Sequence, residues 1–169
     1  MTWKKGPRIW SRQAAVSVLS VNKCLKESDW LENNPTWQPV VALALYDGAG
    51  RWLMHRRPFA KQHGGLWEFP GGKVESGEIP ALALVREAAE ELDIVVRLDD
   101  LEPVGFADGS LTEGGAAIVL FLYACRQWQG EPVAMEGGAV AWCNADEIAA
   151  LDKPPLDQVL ALQLAQKQQ

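Results

Sequence analysis

Three glutamates carry the strongest chemical signal in the chain. Glu87, Glu90 and Glu91 stand at i, i+3 and i+4 in a segment that reads as a helix from Pro80 to Leu92, and those offsets share one helical face. Carboxylates so placed repel one another unless something positive meets them. Mg²⁺ fits that role, because it takes oxygen ligands, usually one or two carboxylates together with water and phosphate oxygens. A run of charge on a helix is more often a solvated face, so the flanking residues have to decide. Phe69-Pro70-Gly71-Gly72 lies just upstream and offers a backbone able to turn tightly and lie against a ligand. Glu78 falls at the junction of loop and helix, and Arg86 directly precedes Glu87, where it can orient the acidic array. The expected chemistry is that of a metal ion held against phosphate.

The elements that must position these residues are regular from Val40 onward. Val40 to Tyr46 reads as a strand, Asp47-Gly48-Ala49-Gly50 as a hairpin turn, and Arg51 to Arg57 as the returning strand. A loop from Pro58 to Gly65 leads through Leu66-Trp67-Glu68-Phe69 into the glycines. The helix has Ala81, Leu84, Val85, Ala88 and Leu92 as its apolar stripe, opposite the acidic one. Strands are expected at about 94–107 and 115–127, a turn at Trp128 to Pro132, a short strand at Val140 to Cys143, and helices at 145–151 and 156–166. Strands bracketed by helices indicate an α+β fold.

Both ends of the acidic helix depart from preferred capping. Ile79 takes the N-cap, where Ser, Thr, Asp or Asn would satisfy a free N–H, at a cost of about 1 kcal/mol. Asp93 follows the last turn, where a left-handed residue is expected; Asp tolerates positive φ there at a cost of order 1 kcal/mol.

Composition bounds the remainder. At 169 residues, 48% apolar and 22% charged, the chain suits one domain with a real core. Its longest apolar run, Ala116 to Cys125, is a buried strand rather than a membrane span. Cys24, Cys125 and Cys143 give neither a zinc pattern nor a disulfide framework, so a cytoplasmic location is expected. Residues 1–26 hold six bases and no acid, leaving 10 bases against 22 acids beyond them. An acidic body disfavours long nucleic acid but not a nucleotide met through a metal ion. Residues 1–36 are expected to be a poorly ordered extension, set off by Asn33-Asn34-Pro35, with residues 37–169 forming the domain.

Gly72, five residues, Glu78, seven residues, then Arg86-Glu87-Ala88-Ala89-Glu90-Glu91-Leu92-Asp93-Ile94 resembles the Nudix box, G-x5-E-x7-R-E-U-x-E-E-x-G-U with U apolar. Asp93 is the one departure, standing where the family has Gly. Leu66 to Glu75, Trp128 to Pro132, Glu136-Gly137, Trp142 and Pro154 to Asp157 extend the similarity to MutT-type members over about residues 38–166. The resemblance implies an α/β/α sandwich with a mixed β-sheet and Mg²⁺-dependent hydrolysis of a nucleoside triphosphate, with Mn²⁺ an acceptable substitute. Water would attack at the β-phosphorus, releasing nucleoside monophosphate and pyrophosphate.

By the same resemblance, Glu87, Glu90, Glu91 and the Gly71 carbonyl would hold metal, with Glu136 approaching from a later loop. Glu91 and Glu136 compete for the role of base, Glu87 shares the catalytic face, and Arg86 orients it. Arg57, Gln62, His63 and the segment Glu68, Phe69, Pro70, Gly71 would line the nucleotide pocket. Asp157 takes a base-reading position held by Asn in other members. An ionised Asp only accepts, so it could meet guanine N1–H and N2–H but could donate to O6 only when protonated. The implied substrate is 8-oxo-dGTP, in nucleotide-pool sanitation by a monomer or weak dimer without membrane or long nucleic-acid partners. CTP or another pyrimidine triphosphate, an ADP-ribose or dinucleotide substrate, and a non-catalytic nucleotide-binding module are the alternatives.

Overall fold

The structure, a computed structural model, describes residues 37–110 and 117–167. The extension expected over residues 1–36 lies outside the described residues. Along the chain the elements are β1 (Trp37–Leu45), β2 (Trp52–Arg56), β3 (Trp67–Glu68), α1 (Pro80–Leu92), β4 (Val95–Val96), a 3₁₀ turn (Leu98–Asp100), β5 (Leu101–Ser110), β6 (Ala117–Cys125), β7 (Trp128–Gln129), β8 (Ala139–Cys143), α2 (Ala145–Ala150) and α3 (Pro155–Lys167). The two later helices fall within a residue of the ends expected for them. Among the described residues no helix is long and apolar enough to cross a membrane.

The described strands form a mixed sheet β1-β6-β5, an antiparallel sheet β3-β2-β8 and an antiparallel pair β4-β7, and the pairing departs from the simple hairpin. β1 runs parallel to β6, from Trp37 opposite Ala117 to Leu45 opposite Cys125, and β5 lies antiparallel on the far side of β6. β2 sits between β3 and β8, antiparallel to both. The turn after β1 does form: Asp47 accepts from the backbone N–H groups of Ala49 and Arg51, at 2.7 and 3.0 Å. Yet β1 and β2 then share only the bridge between Tyr46 and Trp52. The cause is competition for an edge. The β1 edge away from β6 is taken by the glycine loop, with Leu43 N–H donating to Pro70 O and Val41 N–H to Gly72 O, both at 2.8 Å.

The strand expected over 94–107 is two strands. Val95–Val96 pairs with Trp128–Gln129, so the segment read as a turn is partly strand β7. The 3₁₀ turn at Leu98–Asp100 then redirects the chain into β5, which carries a bulge between Pro103 and Gly105. Proline has no N–H for a ladder and is tolerated at such irregularities.

Alternation along the strands builds a core on each face. Val41, Leu43 and Leu45 of β1, with Leu53 of β2, meet Ala83, Leu84, Ala88 and Leu92 of α1. Ala42, Ala44, Trp52 and Met54, with Leu120 and Leu122 of β6, meet Ile148 of α2 and Leu160 and Leu164 of α3. This is the α/β/α sandwich that the resemblance implied. Leu84 is fully buried; removing such a side chain costs about 2–5 kcal/mol, so the acidic helix is anchored by its opposite stripe.

The caps of α1 take the expected form. Ile79 is extended, with no side-chain capping bond, and Pro80 follows at the first helical position. Asp93 is left-handed at φ 55°, ψ 36°, its N–H returning to the last turn. Replacing Asp93 with Gly should therefore stabilise the fold by up to about 1 kcal/mol, raising Tm by about 2–4 °C in a thermal melt; a lower Tm would mean that Asp93 supplies something other than its backbone conformation.

Candidate active site

The glycine loop is the floor on which the site is built. Pro70 and Gly72 give their carbonyls to β1, and Gly71 between them turns its N–H to α1, donating to Glu91 Oε2 at 2.9 Å. Gly71 has φ 152°, and a Cβ added there would stand 2.1 Å from the Val41 carbonyl oxygen. A Cβ on Gly72 would stand 2.3 Å from the carboxyl carbon of Glu87. Two residues without side chains thus let a strand edge and an acidic helix face approach the same stretch of backbone.

Arg86 fixes most of the acidic face. Its Nη1 donates to Glu87 at 2.8 Å and to Glu90 at 3.0 Å, while Nε and Nη2 reach both oxygens of Glu78. Nη2 also donates to the Lys73 carbonyl at 3.0 Å, so one guanidinium ties helix, junction and loop. Bonds to Glu78, Glu87 and Glu90 hold it ever more firmly in the charged form.

Glu91 has no such cation on it. Burial pushes its carboxyl up to about 7; the Gly71 N–H and the charge of His55 pull the other way, and the charges of Glu68 and Glu87 add to the rise. His55, 4% exposed, was not among the residues singled out from sequence. Its Nε2 is 3.4 Å from Gly137 O and its Nδ1 3.6 Å from Glu68 Oε1. Burial disfavours the charged ring, but bonding toward Glu68, the charge of Glu91 and the Gly137 carbonyl together raise its pKa above the usual imidazole value.

A cleft of about 760 Å³ runs from Glu91 to the start of α3, within the range of small-molecule sites. Of the residues expected there, Arg57, Gln62, His63, Glu68, Phe69, Gly71 and Asp157 line it. Pro70 is buried beneath. Arg57 donates from Nη1 to both oxygens of Glu68, at 2.7 and 2.8 Å, and from Nε to Gln62 O at 2.8 Å. That fork pins the Pro58 to Gly65 loop to β3. His63, at φ 60°, is one of two non-glycine residues with positive φ among those described. Asp157, in the first turn of α3, accepts from Phe69 N–H at 3.0 Å. Burial pushes Asp157 up to about 7, against the Phe69 bond and the nearby Arg57.

Glu87, Glu90 and Arg86 lie behind Gly72 rather than on the cleft wall, and Glu136 pairs with Lys61, whose side chain does line the cleft. Lys61 holds Glu136 below the usual carboxylate range. Neither Lys61 nor His55 was legible as a site residue. The one available signal for His55 was its period-two placement with Arg57, on the β2 face opposite Trp52 and Met54.

Residues 36–163 match the NUDIX domain. The chain belongs to the NUDIX family. It is a Nudix hydrolase, similar to enzymes with named diphosphatase activities. A CTP pyrophosphohydrolase of Escherichia coli is 34% identical over 130 residues, covering 74% of this chain and 93% of the relative. A putative 8-oxo-dGTP diphosphatase 2 of Mycobacterium tuberculosis is 37% identical over 121 residues, covering 72% and 83%. The solution structure of the E. coli ORF135 protein superposes with a TM-score of 0.70 at 31% identity, covering 80% of this chain and 93% of that one.

The donor set of this Nudix hydrolase fits a hard cation. Glu87 and Glu91 press against the Gly71–Gly72 backbone, the donors these residues offer are oxygens, and Glu68 and Glu87 already disfavour a further negative charge at Glu91. Among the described residues no three metal-ligating side chains converge on one point.

These titrations set a sign for stability. Glu91 and Asp157 protonate near 7 when folded and near 4 when unfolded, so the folded state binds the extra protons between those values. Their contribution is complete below about pH 4 and is lost as pH rises through 7. Tm of the metal-free protein should fall by ~3 °C or more between pH 6 and pH 8.5, and Glu91→Gln and Asp157→Asn should each flatten that slope; a Tm rising over this range would contradict both assignments.

Proposed function

We propose that this Nudix hydrolase is a Mg²⁺-dependent, cytoplasmic nucleoside triphosphate pyrophosphohydrolase. Its substrate is 8-oxo-dGTP, which it removes from the nucleotide pool to protect DNA replication. The hydrolytic end of the cleft supports the bond that breaks. Glu87, Glu90, Glu91 and the Gly71 carbonyl would hold Mg²⁺, which supplies neutralisation of phosphate oxygens and an acidified water. Glu91, with its carboxyl near 7, suits proton exchange at neutral pH. Glu136, kept anionic by Lys61, suits a supporting charge better than a base. Arg86 orients Glu87 and the exposed Glu90 through its Nη1 bonds.

Asp157 is the observation that carries the substrate. It is buried on the cleft wall, one oxygen engaged by Phe69 N–H, with its carboxyl near 7. A neutral carboxyl offers one donor beside one acceptor. The oxidised purine presents the O6 acceptor beside an N7–H donor and matches that pair, whereas guanine presents two acceptors on the same edge. The limitation that an ionised Asp only accepts is thereby relaxed at neutral pH.

A second reading has support of its own. Cytosine also sets an N–H donor beside a ring acceptor, and the E. coli relative aligned over 93% of its length is a CTP pyrophosphohydrolase. Steady-state kcat/KM with Mg²⁺ for 8-oxo-dGTP, dGTP, CTP, dCTP and ADP-ribose separates the readings. The expected order places 8-oxo-dGTP at least tenfold above dGTP and CTP; a rate no better than that for dGTP would remove the sanitation role. Glu91→Gln should lower kcat by ~10²-fold or more with Tm retained.

The preference should also depend on pH in one direction. Because the neutral form of Asp157 makes the discriminating pair, the ratio of kcat/KM for 8-oxo-dGTP over dGTP should fall between pH 6 and pH 8.5. Asp157→Asn, which keeps donor and acceptor at every pH, should hold the ratio constant. A ratio that rises with pH in the native protein would point to the ionised carboxylate as the reader.

A further inference from the structure

His55 sits on β2 between β3, which carries Glu68, and β8, which the Glu136 loop precedes, and its ring adds side-chain contacts toward both. On one side its Nδ1 faces Glu68, which forks onto Arg57 and through it holds the Gln62 carbonyl. On the other its Nε2 faces the carbonyl of Gly137, the residue after Glu136. Glu136 in turn pairs with Lys61, the neighbour of Gln62. The contacts close a circuit: Lys61, Gln62, Arg57, Glu68, His55, Gly137, Glu136 and back to Lys61. Every other member of that circuit is at least partly open to solvent, while His55 is 4% exposed.

The ring is not there to fill space. Its neighbour on the same β2 face, Leu53, is packed in the apolar core with α1, and an aliphatic residue at position 55 would continue that packing. Instead the position holds two nitrogens, Nε2 within hydrogen-bond distance of Gly137 O and Nδ1 at 3.6 Å from Glu68 Oε1 without a hydrogen bond, facing segments 82 and 13 residues away in sequence. Close packing on the other side leaves the Gly137–Gly138 segment little freedom. A Cβ on Gly138 would stand 2.1 Å from the Arg56 carbonyl oxygen and 3.4 Å from His55 Nε2.

We infer that His55 is a positioning residue, seating the Glu136 loop against the Arg57–Glu68 pair so that the base-holding end of the cleft and the hydrolytic end keep one register. Its ring lines the cleft, and the role assigned to it runs through Gly137 and Glu68. The inference rests on the reading of Glu136 as a hydrolytic residue, and the test separates the two. An apolar residue of similar size at 55 keeps the core filled and leaves Glu68 on Arg57 but takes the hydrogen bond from Gly137 O, so the loop drifts by an amount that turnover feels and binding does not.

The experiment is a kinetic double-mutant cycle on the full chain with Mg²⁺ and the best nucleotide of the substrate panel, using His55→Leu, Glu136→Gln and the pair. His55→Leu should lower kcat at least tenfold with KM within about threefold. In the Glu136→Gln background it should lower kcat by less than about threefold, because the residue it positions is already disabled. His55→Gln, whose amide keeps two N–H donors, should recover most of the lost kcat, and it replaces the leucine variant in the cycle should that one fail to fold. Full kcat in His55→Leu, or effects that multiply in the double variant, would overturn the inference while leaving Glu136 in place. Unchanged kcat in Glu136→Gln alone would overturn the reading of Glu136, and with it the route through Gly137.

Discussion

The site depends on two backbone hydrogen bonds that lie outside the extended strand ladders. Leu43 and Val41 of β1 donate to the carbonyls of Pro70 and Gly72, laying the glycine loop along an edge that a hairpin partner would otherwise occupy. A buried strand edge must satisfy its N–H groups, so this docking is required by β1 as much as by the loop. It also excludes β2 from β1 and sends β2 to β8, which brings His55 and the Gly137 carbonyl together. Gly71 and Gly72 follow from the same constraint: at 2.1 and 2.3 Å, neither position has room for a Cβ.

With the loop fixed, the acidic face of α1 divides into a compensated part and an uncompensated one. Arg86 meets Glu78, Glu87 and Glu90, so the repulsion inherent in the i, i+3, i+4 spacing is offset by one buried-side cation. Glu91 receives only the Gly71 N–H and a distant His55, and its carboxyl moves up to about 7. An arginine that covered all three glutamates would leave nothing for a metal ion to do. The helix therefore holds its shape with Arg86 and leaves Glu91 as the carboxyl without a paired cation.

What could be read from sequence was local in origin, and what could not was a matter of partners. The bounds of α1, the bare N-cap at Ile79 and the left-handed Asp93 follow from steric preferences of single residues, and the box follows from fixed spacings along one loop and helix. The faces of β1 were not legible, since Val40 to Tyr46 is apolar throughout, and only the structure puts Val41 and Leu43 on one side and Ala42 and Ala44 on the other. Nor was pairing: period two gives a face but no neighbour, so β1 and β2 read as a hairpin although their ladders run to β6 and β8. His55 escaped notice for the same reason. A histidine in an apolar strand reads as core, and its role becomes visible only with Glu68 and Gly137 beside it.

Glu68 ties the two ends of the cleft electrostatically as His55 ties them mechanically. Its charge adds to the rise at Glu91 and to the rise at Asp157, two carboxyls that never meet and that would serve different steps. The offset to that charge is Arg57, held at 2.7 Å in the cleft wall. Any ligand group that draws Arg57 away exposes more of Glu68's charge to both carboxyls and favours their neutral forms, whereas one that leaves the fork intact does not. Because coupling in a partly buried site decays slowly with distance compared with open water, the state of the base-holding end is felt at the residue proposed to move the proton. On the proposed roles, recognition and hydrolysis would share one ion pair, a constraint that the helix carrying the box cannot supply by itself.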